Sequence, residues 1–94
     1  MSFVGKKPLV GEVELIGARL NHARVAANLA LQDIADRTKV SLRFLSAIEN
    51  DDFSALPGRV YIFGFTKAFA RAVGFDEDSV VAALREKMHF AEID

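Results

Sequence analysis

The chain contains no cysteine and no tryptophan, and only two prolines and six glycines in 94 residues. Without cysteine, disulfides, thiol nucleophiles and cysteine-ligated zinc are excluded. No apolar run approaches the ~20 residues that a membrane-spanning helix needs. The N-terminus carries Lys6 and Lys7 with no long apolar core behind them, so it does not read as a signal peptide. Neither sign of charge dominates: 12 Lys and Arg face 13 Asp and Glu, for a net charge of −1. A stand-alone DNA-binding domain is usually basic, because phosphate contacts supply most of its affinity. Strand signals, Asn-Gly hairpins, internal repeats and low-complexity tracts are also missing. So are a Ser-His-Asp set, a paired-carboxylate cleft, a glycine-rich phosphate loop and any metal motif. His22 and His89 are far apart with no ligand spacing. Glu49, Asp51 and Asp52 have the charge to hold a cation, but such a cluster between helices reads as a solvated loop. The expectation is a cytosolic, non-enzymatic chain with no cofactor and no metal site.

What is present is a pattern of helices. Apolar residues make up 51% and charged residues 27% of the chain, the composition of a single soluble globular domain. Residues 1–11, with Gly5, Pro8 and Gly11, read as a flexible arm whose two lysines are solvated. Residues 12–90 read as the domain, and residues 91–94 as a frayed tail that starts a linker to a membrane segment outside this chain. A first helix is expected over 12–27, with Leu15, Ala18, Leu20, Ala23 and Ala27 on its apolar side and Arg19 and Arg24 outside. Asn28 suits the left-handed residue that ends it. Pro57 is placed for the first turn of a fourth helix that runs to about Val73 and stops at Gly74. Asp76 caps a fifth, with Glu77 and Asp78 near its positive end and Val80, Val81, Leu84 and Met88 on its apolar side.

Between these lies LQDIADRTKVSLRFLSAIEN, residues 31–50, which reads as a helix-turn-helix. Leu31, Ile34 and Ala35 share one helical face, Thr38-Lys39-Val40 breaks it, and Ser41 caps the next helix, whose apolar residues are Phe44, Leu45 and Ile48. In DNA-binding proteins the second helix of such a motif enters the major groove. The residues placed to do so are Ser41, Arg43 and Ser46, with Arg43 able to pair with a guanine edge. Against this, Glu49, Asp51 and Asp52 put negative charge where phosphate would pass, and the motif can equally serve as a three-helix packing unit.

The fourth helix, VYIFGFTKAFAR, is apolar around much of its girth. At about 100° per residue, Ile62, Thr66, Phe69, Ala70 and Val73 form a core face, while Tyr61, Phe65, Ala68 and Ala72 form a second stripe within about 40° of Tyr61. Periodicity alone leaves open whether this stripe packs on the first or fifth helix or meets a partner. Tyr and Phe are efficient anchors for a partner, because they bury large area with few rotatable bonds.

Ala47-Ile48-Glu49, Asp52-Phe53, Leu56-Pro57-Gly58 and the Tyr-x-x-Gly-Phe of residues 61–65 follow the helix-turn-helix in order. That series, over residues 16–88, resembles the N-terminal cytoplasmic domain of RodZ, a bacterial cell-shape protein of the wider phage-repressor-like family. The resemblance implies an all-α, compact five-helix domain of the phage-repressor (lambda repressor-like) type. It also implies a bitopic membrane protein whose domain, on the cytoplasmic side of the bacterial inner membrane, binds filaments of the actin homologue MreB and couples them to cell-wall elongation. By position, the gripping aromatics are Tyr61 and Phe65, and Phe63 and Lys67 adjoin them. DNA is the alternative partner, and a membrane is reached only through a segment absent from this chain. The chain departs from the family pattern at Asn28 and Ala30, where Gly and Ser are common, and at Phe63, where Arg is common.

Overall fold

The computed structural model describes the backbone of residues 15–93 and the side chains of residues 15–88. The expected arm of residues 1–11, the start of the first helix at residues 12–14, the side chain of His89 and residue 94 lie outside these. The described residues form five α-helices and no strand: α1 (Ile16–Ala26), α2 (Leu31–Thr38), α3 (Leu42–Glu49), α4 (Arg59–Val73) and α5 (Glu77–Ile93), with a 3₁₀ turn at Phe53–Ala55 between α3 and α4. Helix α5 continues through residues expected to fray.

The first three helices each end at a non-glycine residue with positive φ, and α4 ends at a glycine. Asn28 (φ 64°), Lys39 (φ 64°) and Asp51 (φ 56°) take the left-handed conformation, as Gly74 (φ 76°) does after α4. Asn and Asp are among the few residue types that enter this region readily. Lys39 is not one of them, and its turn is secured by Thr38 instead. The Thr38 hydroxyl donates to the Ile34 carbonyl at 2.7 Å and accepts the Val40 N–H at 3.2 Å. Val40 is thereby buried.

Three expected caps resolve differently. Ser41 occupies the N-cap position of α3 but its side chain caps nothing. Pro57 lies ahead of α4 rather than in its first turn, because Gly58 is the N-cap. Ala30 has no capping side chain, yet the start of α2 is secured from the other direction: the Asp33 carboxylate accepts the Ala30 N–H at 2.8 Å. This is the reciprocal half of a capping box. Asp76 does cap α5, accepting from the Asp78 N–H at 3.3 Å and the Ser79 hydroxyl at 2.7 Å.

The core is built from Leu20, Ile34, Leu45, Ile48, Phe69, Val80 and Leu84, all essentially sealed from solvent, with Phe53 and Leu56 of the connecting loop closing one side. The expected core face of α4 holds: Ile62, Thr66, Phe69, Ala70 and Val73 are all buried. The expected face of α1 holds only in part, at Leu20, which is buried, and Ala23, which is partly buried against the core. Leu15 and Ala18 are exposed, and the buried residues are Ile16, Gly17 and Leu20. The reason is Gly17. A Cβ at this position would overlap the backbone carbonyl oxygens of Ile48 and Glu49, so α1 meets the end of α3 backbone to backbone. The Gly17 N–H donates to Asp51 Oδ1 at 2.9 Å. A residue with no side chain defines the buried face, and it adds nothing to a hydrophobic pattern.

Two predictions follow from this packing. In a free helix, Gly→Ala gains roughly 1 kcal/mol, but overpacking a tight contact costs about 1–3 kcal/mol. Because the obstruction at Gly17 is backbone, Gly17→Ala is expected to destabilise the domain by about 1–2 kcal/mol in urea denaturation; a stabilised variant would rule out the close approach. The second concerns acid. The Ser79 hydroxyl holds Asp76 below its ordinary pKa, and the Arg71 guanidinium does the same for Glu77. Depressed carboxylates stabilise the fold above the ordinary carboxylate range, and that contribution is lost as pH falls through the lowered values. Melting temperature should therefore hold from neutrality to about pH 5 and fall below it. In Asp76→Ala/Glu77→Gln the acid limb should be shallower. An unchanged limb would assign acid sensitivity to other groups.

Candidate docking surface on α3 and α4

Helix α3 is fixed from behind by a cluster that the sequence pattern had spread apart. Arg24, expected outside, is turned inward. Its Nε donates to Glu49 Oε2 at 2.6 Å, its Nη2 to Glu49 Oε1 at 3.3 Å and its Nη1 to the Leu29 carbonyl at 2.8 Å. Asn21 Nδ2 adds a bond to Glu49 Oε1 at 3.0 Å. The Arg24 and Glu49 side chains are only 16% and 12% exposed, and the carboxylate hydrogen bond raises the guanidinium pKa above its ordinary value. Removing one partner of this part-buried pair leaves a poorly solvated charge, so truncating either side chain is expected to destabilise the domain. The signal was available: Gly17, Leu20, Asn21 and Arg24 are spaced i, i+3, i+4 and i+7, so they share one helical face.

This cluster changes the electrostatics of α3. Of the three acids expected to oppose a phosphate, Glu49 is neutralised by Arg24, and Asp51 is turned onto the start of α1. Asp52 accepts from the Ser54 hydroxyl at 2.9 Å. Among the described residues no group of three or more potential ligands could hold a metal ion.

On the outer side, α3 and α4 meet through aromatic rings. Phe44 of α3 stacks on Phe65 of α4, with centroids 5.7 Å apart and planes inclined 24°. Phe65 in turn lies 5.4 Å from Tyr61 at 51°. Of the second stripe of α4, Phe65 thus packs on α3 through Phe44. The stripe is only partly covered: Phe65 is half-buried, whereas Tyr61 remains 49% exposed. Leu42 and Val60 are also exposed. Phe44, expected in the core, is the ring that joins the two helices and extends this face.

The other anticipated residues divide. Phe63 lies about 200° around α4 from Tyr61 and packs partly against the core, so it does not extend the Tyr61–Phe65 face. Lys67, near 240°, is half-buried, and its charge helps to depress the Glu77 pKa. Ser41 and Arg43 are exposed and Ser46 half-buried on α3. Arg43 and Ser46 border a shallow groove of about 410 Å³ that also meets Asn50, Asp52 and Ala55. The Arg43 guanidinium also sits 5.1 Å from the Phe44 ring centroid. The proposed nucleic-acid residue and the proposed protein anchors are therefore ends of one run, Arg43–Phe44–Phe65–Tyr61.

An exposed cation–π contact contributes about 0.5–1 kcal/mol. Arg43→Ala should destabilise the domain by that amount in chemical denaturation and alter the near-ultraviolet signal of Tyr61. No change in either would mean that Arg43 and the rings are uncoupled.

Comparison with known proteins fits this geometry. A family model described as a helix-turn-helix domain matches residues 19–80, from within α1 through the motif and the aromatic helix to the start of α5. The cytoskeleton protein RodZ of Streptococcus pneumoniae is 36% identical over 78 residues, covering 83% of this chain and 26% of that protein. The uncharacterized membrane protein YmfM of Bacillus subtilis is 36% identical over 52 residues, covering 55% of this chain and 18% of that one. The chain thus spans about a quarter or less of the length of these relatives. The solved structure of YmfM from Staphylococcus aureus, proposed to be a DNA-binding membrane protein, superposes with a TM-score of 0.72 at 26% identity, covering 78% of this chain and 89% of that one. Among the described residues no helix is long and apolar enough to cross a membrane. Since the matched region takes in the helix-turn-helix, the tie from Arg24 to Glu49 and the aromatic helix, the chain belongs to the helix-turn-helix domain family and is a RodZ-like member of it.

Proposed function

We propose that this domain is a non-enzymatic cytoskeletal adaptor. It docks on an MreB-like actin filament through Tyr61 and Phe65 and couples that filament to cell-wall elongation and rod shape. The observation that carries this reading is the half-exposed ring pair on α4, supported from below by Phe44. A rigid aromatic anchor backed by a packed ring loses little entropy on binding, the property of an interface hot spot. The likeness to a cytoskeleton protein supports the same reading. In the full protein the domain would lie on the cytoplasmic side of the inner membrane, tethered by a segment outside this chain.

The test is co-sedimentation with assembled MreB filaments. Tyr61→Ala should lose at least tenfold in affinity, the loss of a hot-spot residue of about 1.4 kcal/mol or more, with an unchanged melting temperature. Phe65→Ala should lose binding too but also some stability, because this ring is shared with Phe44. Retained binding by a folded double variant would end the proposal.

A second reading, DNA binding through Ser41, Arg43 and Ser46, is favoured by one observation: Glu49 and Asp51 are engaged inside the domain and do not confront a phosphate. Its signature is an affinity for duplex DNA that falls steeply with salt as counterions are released. An aromatic-anchored protein contact falls far less.

A further inference from the structure

The stripe that carries Tyr61 and Phe65 continues past the rings. Ala68 and Ala72 extend it toward the C-terminal end of α4, and Ala72 lies roughly 16 Å along the helix from Tyr61 at about 1.5 Å per residue. Over this second half the bordering element changes from α3 to the end of α2. Arg37, Thr38, Ala68, Arg71 and Ala72 line a shallow groove of about 300 Å³ there. Small side chains leave room, and two arginines stand beside them.

The two arginines differ in their commitments. Arg71 is held by Glu77 through two bonds, Nε to Oε2 at 2.8 Å and Nη2 to Oε1 at 3.0 Å. Arg37 is exposed and donates only through Nη1 to the Ala72 carbonyl, at a long 3.4 Å. A guanidinium carries five N–H donors, so most of this fork is unused among the described residues. The neighbouring carboxylates are engaged elsewhere. Asp33 accepts the Ala30 N–H, Asp36 accepts from Gln32 Nε2 at 3.0 Å, and Glu77 holds Arg71. Asp36 also adjoins Arg37 in the chain, and adjacent residues on a helix do not face each other. Lys39, exposed in the turn, adds positive charge at the same end.

We infer that Arg37 is a second anchor of the docking surface, for a carboxylate on the same partner segment whose apolar side chains seat on Tyr61 and Phe65. This rests on the proposed function and specifies the partner: an apolar contact at one end and an acidic residue about 16 Å along, the distance from Tyr61 to Ala72. Charge complementarity selects it. The fork matches a carboxylate bidentately, and no carboxylate of the described residues takes it. Its bond to Ala72 also offsets the negative end of the α4 dipole, which would otherwise repel an anion.

The experiment is co-sedimentation with MreB filaments, using wild type, Tyr61→Ala and three Arg37 variants, each checked for folding by thermal melt. Arg37→Ala should weaken binding about two- to fivefold, the range of a rim ion pair. Arg37→Glu should weaken it about tenfold, since attraction becomes repulsion. Arg37→Lys should fall between wild type and Arg37→Ala, because it keeps the charge but not the bidentate fork, and the gap between wild type and Arg37→Ala should close at about 0.5 M salt, where screening shortens to a few ångströms. Wild-type affinity in Arg37→Glu alongside loss in Tyr61→Ala would overturn the inference and leave the docking reading standing. An Arg37→Ala loss that persists undiminished at about 0.5 M salt would assign Arg37 to the end of α4 and also overturn it. Failure of wild type to sediment would overturn both.

Discussion

The outer face of this domain depends on how closely α1 approaches the end of α3. Gly17 permits that approach, because a side chain there would overlap the carbonyl oxygens of Ile48 and Glu49. Once the backbones meet, Asp51 takes the Gly17 N–H and Glu49 receives Asn21 and Arg24. These bonds hold the C-terminal end of α3 against one face of α1. With α3 held, Phe44 is presented to Phe65 at stacking distance. The ring contact between α3 and α4 is thus prepared by a contact elsewhere on the same helix.

That arrangement also explains how a near-neutral chain can keep a helix-turn-helix while offering an aromatic face. Of the acids at the end of α3, Glu49 and Asp51 are engaged within the domain, while Asp52 stays exposed and accepts from Ser54. Arg43, the residue best suited to read a base, is laid against the ring that supports the α4 anchors. Protein docking and nucleic-acid reading would draw on one continuous surface. At its far end the surface changes character, from rings bordered by α3 to alanines bordered by Arg37.

Much of the fold was legible because it depends on local rules. The bounds of α2, the left-handed residue at Asn28, the stop at Gly74, the cap at Asp76 and the core face of α4 are each set by residues within one or two turns. The face of α1 was misread because its defining residue is a glycine. The start of α2 was judged from Ala30, which cannot cap, while the bond came from Asp33 three residues on. Arg24 was placed outside on its charge, though its spacing from Gly17 and Leu20 put it on the buried face.

The amino-acid sequence by itself determined the helices, most of their ends and the presence of two apolar stripes on α4, because helix propensity, capping and periodicity act over a few residues. It also carried a motif order specific enough to identify the family. Only the tertiary structure decided which stripe stays partly open, that Phe44 joins the motif to α4, and that Arg24 rather than solvent neutralises Glu49. Arg24 and Glu49 are 25 residues apart, and Phe44 and Phe65 belong to different helices. Contacts of that range depend on how helices approach and cross, and the approach here is set by a missing side chain at Gly17.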